Sequence, residues 1–210
     1  VATRRRGDLE ALVNDVRALG SDATALFSDA RDESQVCELI DKVESELGPI
    51  RIAVFNVGGN VRFGITETTT QVYRKVWEMC ALAGFLVGRE VAKKMLPREQ
   101  GTIIFTGASV GSLSSSGFAA FAGGKHALRA LAQSMSRELG PKGIHVAHVI
   151  VDGLIENEAT KAFLPDLFAS KGENGIIQPD DLAEVYWQLH KQPKTAWTFE
   201  QDVRPCAEQW

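Results

Sequence analysis

The chain has 210 residues, of which 44% are hydrophobic and 24% are charged, a balance typical of one globular domain over residues 1–210. Its formal net charge of −4 argues against nucleic acid as a bulk electrostatic partner. Its longest apolar stretch is too short to span a membrane, and the cysteines Cys37, Cys80 and Cys206 lack metal-ligand spacing. We therefore expect a soluble protein of a reducing compartment, such as the cytoplasm, without a metal site.

Strand-like and helix-like patterns alternate along the chain. Short apolar runs predict strands at 1–3, 23–27, 52–55, 102–105, 144–151 and 197–203. Apolar residues at helical spacing predict helices at 8–19, 32–47, 70–95, 117–139 and 179–190, with an irregular or helical excursion at 156–175. This alternation predicts an α/β fold with a doubly wound parallel sheet between two layers of helices.

The segment 101–140 holds the residues that point most directly to chemistry. A buried strand ends shortly before Ser109, and the helix that follows carries Lys125 near its start. Because ligands bind at the carboxyl ends of strands in open α/β sheets, this segment predicts one wall of a binding site. Ser109 could instead be an ordinary turn serine. Two glycines before Lys125 and an apolar helix after it favour a buried lysine over an exposed one.

Ser109 and the run Phe121-Ala122-Gly123-Gly124-Lys125 resemble the signature of the short-chain dehydrogenase/reductase family, a serine followed by Tyr-x-x-x-Lys. The resemblance covers essentially the whole chain and implies a Rossmann-like fold. It also implies hydride transfer between NAD(P) and a small carbonyl or alcohol. In that family the serine orients the carbonyl, the tyrosine donates the proton, and the lysine tunes the tyrosine and holds the nicotinamide ribose.

Phe121 stands at the position of the family's tyrosine. General acid catalysis is worth ~10²–10⁴-fold and a phenyl ring has no proton to give, so the expected catalytic set of Ser109, Phe121 and Lys125 predicts weak or lost activity. The family's asparagine, which supports the lysine, is also absent near Cys80 and Ala81. Two hypotheses follow: an NADP-linked oxidoreductase of an atypical branch, or a non-catalytic homologue that acts as a binding or dimerisation scaffold.

Other positions receive cofactor-binding roles through the resemblance alone. Arg4 and Arg5 stand where the family contacts the 2′-phosphate of NADP, with a solvated basic cluster as the alternative. Asp29 and Ala30 stand where the family contacts adenine. The remaining candidates follow two later strands: Asn56, Val57, Gly58, Asp152, Gly153 and Ile155. We expect NADP, with NAD as the alternative, and a small-molecule substrate that the sequence does not specify.

The glycine-rich turn that binds the dinucleotide in this family is not found in the sequence, whose first residues resemble the end of the family's second strand. We expect an upstream segment to be omitted; a natural truncation is the alternative. In either case cofactor binding could fail without that segment. In this fold the first strand lies between the second and fourth. We therefore predict strands 23–27 and 52–55 in one sheet, with no hydrogen bonds between them and an open position in between.

The resemblance also implies self-association. Helices 70–95 and 117–139 pair across a two-fold axis in the family, which predicts a homodimer or tetramer. The second helix keeps more apolar surface than one sheet face needs, at Phe118, Leu128, Leu131 and Ala132. Within that helix, the four-residue spacing places Phe121 and Lys125 on one face, and we expect both to face the strand ends near Ser109.

Overall fold

In residues 1–3 and 9–207, which the computed structural model describes, six parallel strands form the framework. They are β1 (Ala2–Thr3), β2 (Leu26–Phe27), β3 (Ile52–Phe55), β4 (Gly101–Thr106), β5 (Ile144–Val151) and β6 (Glu200–Val203). The strands β3-β4-β5-β6 form one sheet in that order, and β1 pairs with β2 in a second sheet. The central strands β4 and β5 are almost wholly buried, as expected of parallel strands covered on both faces.

Helices connect these strands. They are α1 (Leu9–Ala18), α2 (Glu33–Lys42), α3 (Thr70–Trp77), α4 (Ala83–Met95), α5 (Ala119–Leu139), α6 (Glu158–Phe163), α7 (Pro165–Ser170) and α8 (Pro179–Lys191). Asp32 and Thr69 begin α2 and α3 with side-chain oxygens that accept backbone N–H groups, which helix starts otherwise leave unpaired. None of the helices in the described ranges has the length and apolar character needed to cross a bilayer.

The helix predicted at 70–95 contains one π-helical turn, Glu78–Leu82, between α3 and α4. Such turns insert an extra residue into a helix and often mark functional sites. Here the turn carries the buried Cys80 and Ala81. The sequence predicted the length of the helix but not the change of helical type within it.

Apolar side chains cover both faces of the four-stranded sheet. One face packs against α2, α4 and α5, and its large buried residues include Phe55, Met95, Phe105, Leu128 and Ile144. The other face packs against α8 through Ile104, Ala147, Val149 and Leu189. The predicted parallel sheet between two layers of helices is therefore confirmed.

The prediction that strands 23–27 and 52–55 share one sheet is wrong. Leu26 and Phe27 pair with Ala2 and Thr3 instead, so their backbone groups belong to the separate two-stranded sheet. The expected lack of a ladder between β2 and β3 is confirmed for the described residues. Val54 on β3 is 45% exposed, as an edge strand would be.

The β1–β2 region is joined to the larger sheet by α2. Val36 and Ile40 of α2 are buried in the main core. On the surface, Arg89 of α4 forms an ion pair with Glu33, and Lys94 forms another with Asp41. The connection therefore runs through helix packing, since no strand ladder spans it in the part of the chain that is described.

Candidate cofactor site at the strand ends

Lys125 lies at the centre of the candidate site. Its side chain is 3% exposed, and its Nζ donates to the carbonyl oxygens of Val57 at 3.3 Å and Thr106 at 2.7 Å. These oxygens lie just beyond β3 and at the end of β4, so the ammonium joins two adjacent strand ends. Burial lowers the pKa of Lys125, because a low-dielectric environment disfavours the charged form. The predicted burial of this lysine is observed.

Phe121 lies on the same face of α5, as the four-residue spacing predicts. Its ring centroid is 5.9 Å from Lys125 Nζ, within the range of a cation–π interaction. The ring belongs to a buried cluster with Val76, Cys80 and Ala120. At the position where the family has the phenol of a tyrosine, this chain thus has a buried phenyl ring next to the Lys125 ammonium.

Ser109 begins a short 3₁₀ turn, Ser109–Gly111, after β4. Among the described residues, the hydrogen bonds of Ser109 involve its backbone: its carbonyl oxygen accepts from the backbone N–H and hydroxyl of Ser112 and from the backbone N–H of Leu113. The neighbours Ala108 and Val110 are among the apolar residues that pack against the Phe121 cluster. The structure therefore brings Lys125 and Phe121 together on α5, and the residues on either side of Ser109 pack against the cluster that contains the ring.

Cys80, one of the two positions at which the resemblance places the family's asparagine, lies close enough to Lys125 to interact with it electrostatically. It is fully buried in the π-helical turn, and a Cβ added to Gly124 would lie only 2.9 Å from its own Cβ. Burial raises the pKa of the Cys80 thiol, and the nearby Lys125 opposes that shift. Glycine at position 124 thus permits α5 to approach the π-helical turn closely.

The turn after β3 is accessible. Asn56 is exposed and Val57 is half-buried. No atom lies within 4 Å of the place where a Cβ on Gly58 would be, so a ligand can approach the backbone there. The carbonyl of Val57 also holds Lys125, which links this turn to α5.

The other cofactor-binding candidates make contacts within the protein. Asp152 pairs with Arg204 at 3.2 Å. Gly153 lies against Pro205, and Ile155 forms a β-bridge with Ile177. The C-terminal segment therefore packs directly on the residues that follow β5.

The adenine-side candidates lie near the start of α2. Asp29 forms a 2.5 Å ion pair with Arg31, and Ala30 packs against the main core. The predicted phosphate-binding residues Arg4 and Arg5 lie outside the described residues.

Sequence reasoning missed a polar cluster beneath the site. His148 Nδ1 lies 3.0 Å from Glu200 Oε2, and Arg129 donates to both carboxylate oxygens of Glu200 at 2.6 Å. A histidine within an apolar strand pattern gave no signal that distinguished it from an ordinary core residue.

Both tyrosines of the chain also contact site-forming segments. The hydroxyl of Tyr186 is 2.8 Å from Thr106 Oγ1, and burial raises its pKa. Tyr73 lies against Gly123, where an added Cβ would be 2.9 Å from the tyrosine hydroxyl. Thr106 thus joins Tyr186 through its side chain and Lys125 through its carbonyl.

A parallel sheet flanked by helices, with a buried lysine at its strand ends, defines a Rossmann-like α/β protein. The family model described as "short chain dehydrogenase" matches residues 1–168. The chain belongs to the short-chain dehydrogenase/reductase family, a family of NAD(P)-dependent oxidoreductases.

Two curated relatives illustrate the similarity. A 2-dehydro-3-deoxy-D-gluconate 5-dehydrogenase of Pseudoalteromonas atlantica is 30% identical over 177 residues, which cover 80% of this chain and 68% of that protein. Short chain aldehyde dehydrogenase 1 of Euphorbia lathyris is 30% identical over 151 residues, 70% of this chain and 52% of that protein. The chain thus spans only about half the length of some of the curated relatives that it matches.

Solved structures share the fold. A short-chain dehydrogenase from Rhodopseudomonas palustris is 44% identical with a TM-score of 0.82, over 97% of this chain and 84% of that one. Actinorhodin polyketide ketoreductase with NADPH is 21% identical with a TM-score of 0.87, over 98% and 85% of the two chains. The second comparison supports the fold alone.

Proposed function

We propose that the protein binds a nicotinamide dinucleotide at the carboxyl ends of β3 to β5. We further propose that it catalyses weak hydride transfer on a small carbonyl or alcohol. The observation that carries the proposal is the buried Lys125, whose ammonium is held by the carbonyls of Val57 and Thr106. Within the described residues the ammonium donates its hydrogen bonds to neutral carbonyls and not to a carboxylate, which makes its burial costly. Binding to ribose hydroxyls and phosphate-bearing ligands is a function that justifies that cost.

The residues at these strand ends fit the nicotinamide-ribose part of such a cofactor. An ammonium has three N–H donors, and two are used by the two carbonyls. Gly58 leaves the backbone approachable beside them. When bound, the cofactor supplies or accepts the hydride, while Lys125 would hold the ribose hydroxyls.

Low activity follows from the groups that surround Lys125. Phe121 offers no exchangeable proton on its side chain, and Cys80 holds its proton more tightly because burial raises its pKa. Without a phenol, the developing oxyanion of a reduced carbonyl has no matched general acid, and this absence typically costs ~10²–10⁴-fold in rate.

We propose NADP rather than NAD as the cofactor. The sequence places Arg4 and Arg5 directly after the first strand, and arginine forks suit phosphate. Fold neighbours solved with NADPH and with 5-hydroxy-NADP are compatible with this choice.

Cofactor binding is tested with NADPH and NADH by tryptophan fluorescence. The chain is compared with a chimera to which a strand, glycine-rich turn and helix of the kind that the family resemblance implies are fused at the amino terminus. We expect the chimera to bind NADPH more tightly than NADH, and Lys125→Met to weaken binding at least about tenfold by removing a charge-assisted hydrogen bond. Lys93→Met, which changes an exposed lysine on α4, is the matched control. A chimera that binds neither nucleotide would contradict the proposal.

A scaffold role without catalysis is the second candidate. A groove of about 340 Å³ between α4 and α5 is lined by Phe85, Arg89, Leu131 and Met135, and Phe85 is 41% exposed. We propose that this surface forms a homodimer, or part of a tetramer, in the cytoplasm. Sedimentation at micromolar concentration should give a dimeric mass that Phe85→Glu reduces to a monomer, and a monomeric wild-type protein would contradict it.

A further inference from the structure

The cluster of His148, Glu200 and Arg129 joins three elements directly below the candidate site. His148 on β5 and Glu200 on β6 are paired residues in the parallel ladder. Arg129 on α5 holds the carboxylate from the other side with two hydrogen bonds. Since α5 also carries Lys125, the cluster fixes this helix against the two strands.

The hydrogen bonds define the tautomer of His148. Arg129 lowers the pKa of Glu200, so the carboxylate is ionised, and burial lowers the pKa of His148, so the imidazole is neutral. An ionised carboxylate only accepts hydrogen bonds, so the proton of His148 is on Nδ1 and is donated to Glu200. The opposite nitrogen, Nε2, is buried and has no hydrogen-bond partner among the described residues.

The Nε2 edge of the His148 imidazole packs directly against Gly107. His148 is 0% exposed, and a Cβ added to Gly107 would overlap its Nε2 and Cε1 atoms. The peptide between Thr106 and Gly107 is held at both ends: the N–H of Gly107 donates to Val149 O at 2.7 Å, and the carbonyl of Thr106 accepts from Lys125 at 2.7 Å. His148 therefore borders the same peptide unit that binds the ammonium.

We infer that His148, oriented by Glu200 and Arg129, is a positioning residue for Lys125. The rigid imidazole keeps the Thr106–Gly107 peptide at the distance that lets its carbonyl accept from the ammonium. This inference rests on the proposed role of Lys125 at the cofactor site. It identifies a further residue on which that role depends, located on β5, the strand that follows the helix carrying the lysine.

The test follows the ionisation of Lys125 by NMR of lysines labelled with ¹³C at Cε, with the Lys125 signal assigned by its loss in Lys125→Met. His148→Asn keeps an N–H donor for Glu200 but removes the ring edge that contacts Gly107. We expect the titration midpoint of Lys125 to fall in this variant, because a loosened carbonyl stabilises the ammonium less. The Gly107 amide should exchange roughly tenfold faster as its local structure loosens.

His145→Asn is the matched control. His145 is on the same strand and equally buried, but it stacks on Trp197 and contacts Thr198 O, away from Lys125. We expect this variant to lose stability without any change in the Lys125 midpoint, which separates positioning from a general structural effect.

An unchanged Lys125 midpoint in folded His148→Asn protein would overturn the inference. If that variant does not fold, Glu200→Gln decides, because it disturbs the orientation of His148 and retains the ring. We expect a smaller shift in the same direction, and no shift would again overturn the inference. The titration requires no cofactor, so failure of NADPH to bind would count against the proposed function and not against this positioning role.

Discussion

The four-stranded sheet and the β1–β2 region are built from the same alternation of strands and helices, yet they differ in what holds them. The ladder between β4 and β5 runs from Gly101 to Thr106 and is buried on both faces. The ladder between β1 and β2 joins only Ala2–Thr3 to Leu26–Phe27, and Phe27 is 53% exposed. Of the two regions, only the four-stranded sheet thus buries both faces of its central strands, and Lys125, Phe121 and His148 lie within it or on the helix packed against it.

The largest expected effect tests this difference in stability. Phe105→Ala removes a fully buried ring of the four-stranded sheet and should lower the free energy of unfolding by about 3–5 kcal/mol. Phe27→Ala in β2 should change it by about 0.5 kcal/mol or less. Equilibrium urea unfolding measures both, and similar losses would show that the two regions are equally well packed.

The next effect concerns catalysis in the four-stranded region. Phe121→Tyr restores a phenol beside Lys125 and should raise NADPH-dependent carbonyl reduction by up to ~10²-fold, as expected for a general acid. The substitution is made in the chimera with the added glycine-rich segment, and initial rates are compared at equal cofactor saturation. Phe118→Tyr, which changes the neighbouring ring of the same cluster, is the control. An unchanged rate despite bound cofactor would show that the missing tyrosine is not the only cause of low activity.

A pH titration of stability distinguishes the two regions further. Burial lowers the pKa of His148 below its usual value of about 6.5. As the pH falls below that value, this histidine takes up a proton in the unfolded chain but not in the folded chain, so the free energy of unfolding decreases. Arg129 lowers the pKa of Glu200 below about 4.3. The free energy of unfolding therefore decreases a second time as the pH falls towards the pKa of Glu200 in the folded chain.

Both effects decrease the free energy of unfolding as the pH falls. Each amounts to about 1.4 kcal/mol per unit of difference between the pKa in the folded and in the unfolded chain. Hydrogen exchange between pH 7 and about 3, corrected for intrinsic rates, should show protection falling in β5 and β6. His148→Asn should abolish the first loss and Glu200→Gln the second. A stability curve that is identical in these variants would refute the assignment.

The smallest effect concerns the exposed edge of the larger sheet. An unpaired, apolar edge strand favours association with other chains, and Val54 on β3 is partly exposed. Val54→Lys should slow aggregation in light-scattering measurements while changing the free energy of unfolding by roughly 0.5 kcal/mol or less. Leu19→Lys in the β1–β2 region, at an exposed position outside any strand, should leave aggregation unchanged.

Most of the fold could be predicted because burial and periodicity coincide in the central elements. The apolar pattern predicts buried positions for three residues that are buried in the structure, namely Ile103, Phe105 and Leu128. The last strand was predicted too long, since Trp197 stacks on His145 and Thr198 bonds with Gln192 instead of joining the ladder. β2 was also predicted too long, since only Leu26 and Phe27 find partners in β1.

The arrangement of the site could be predicted only in part from the sequence, for a different reason. The proximity of Lys125 and Phe121 follows from spacing along one helix. The contact of Ala108 with the Phe121 cluster depends on how the chain turns after β4, which residue types alone do not reveal. The pairing of His148 with Glu200 depends on the register between strands about fifty residues apart in sequence, and this register is set by tertiary packing.

The π-helical turn Glu78–Leu82 has a consequence for how this chain can change in evolution. An α-helix turns by about 100° per residue, so one inserted residue rotates all that follows it around the axis. With the turn in place, both Cys80 and Gly84 meet α5, where Gly84 packs against Leu128 with no room for a side chain. A single deletion in the turn would swing the α4 face away from that partner. Insertions and deletions should therefore be far rarer here than in the loops, even where individual side chains are free to vary.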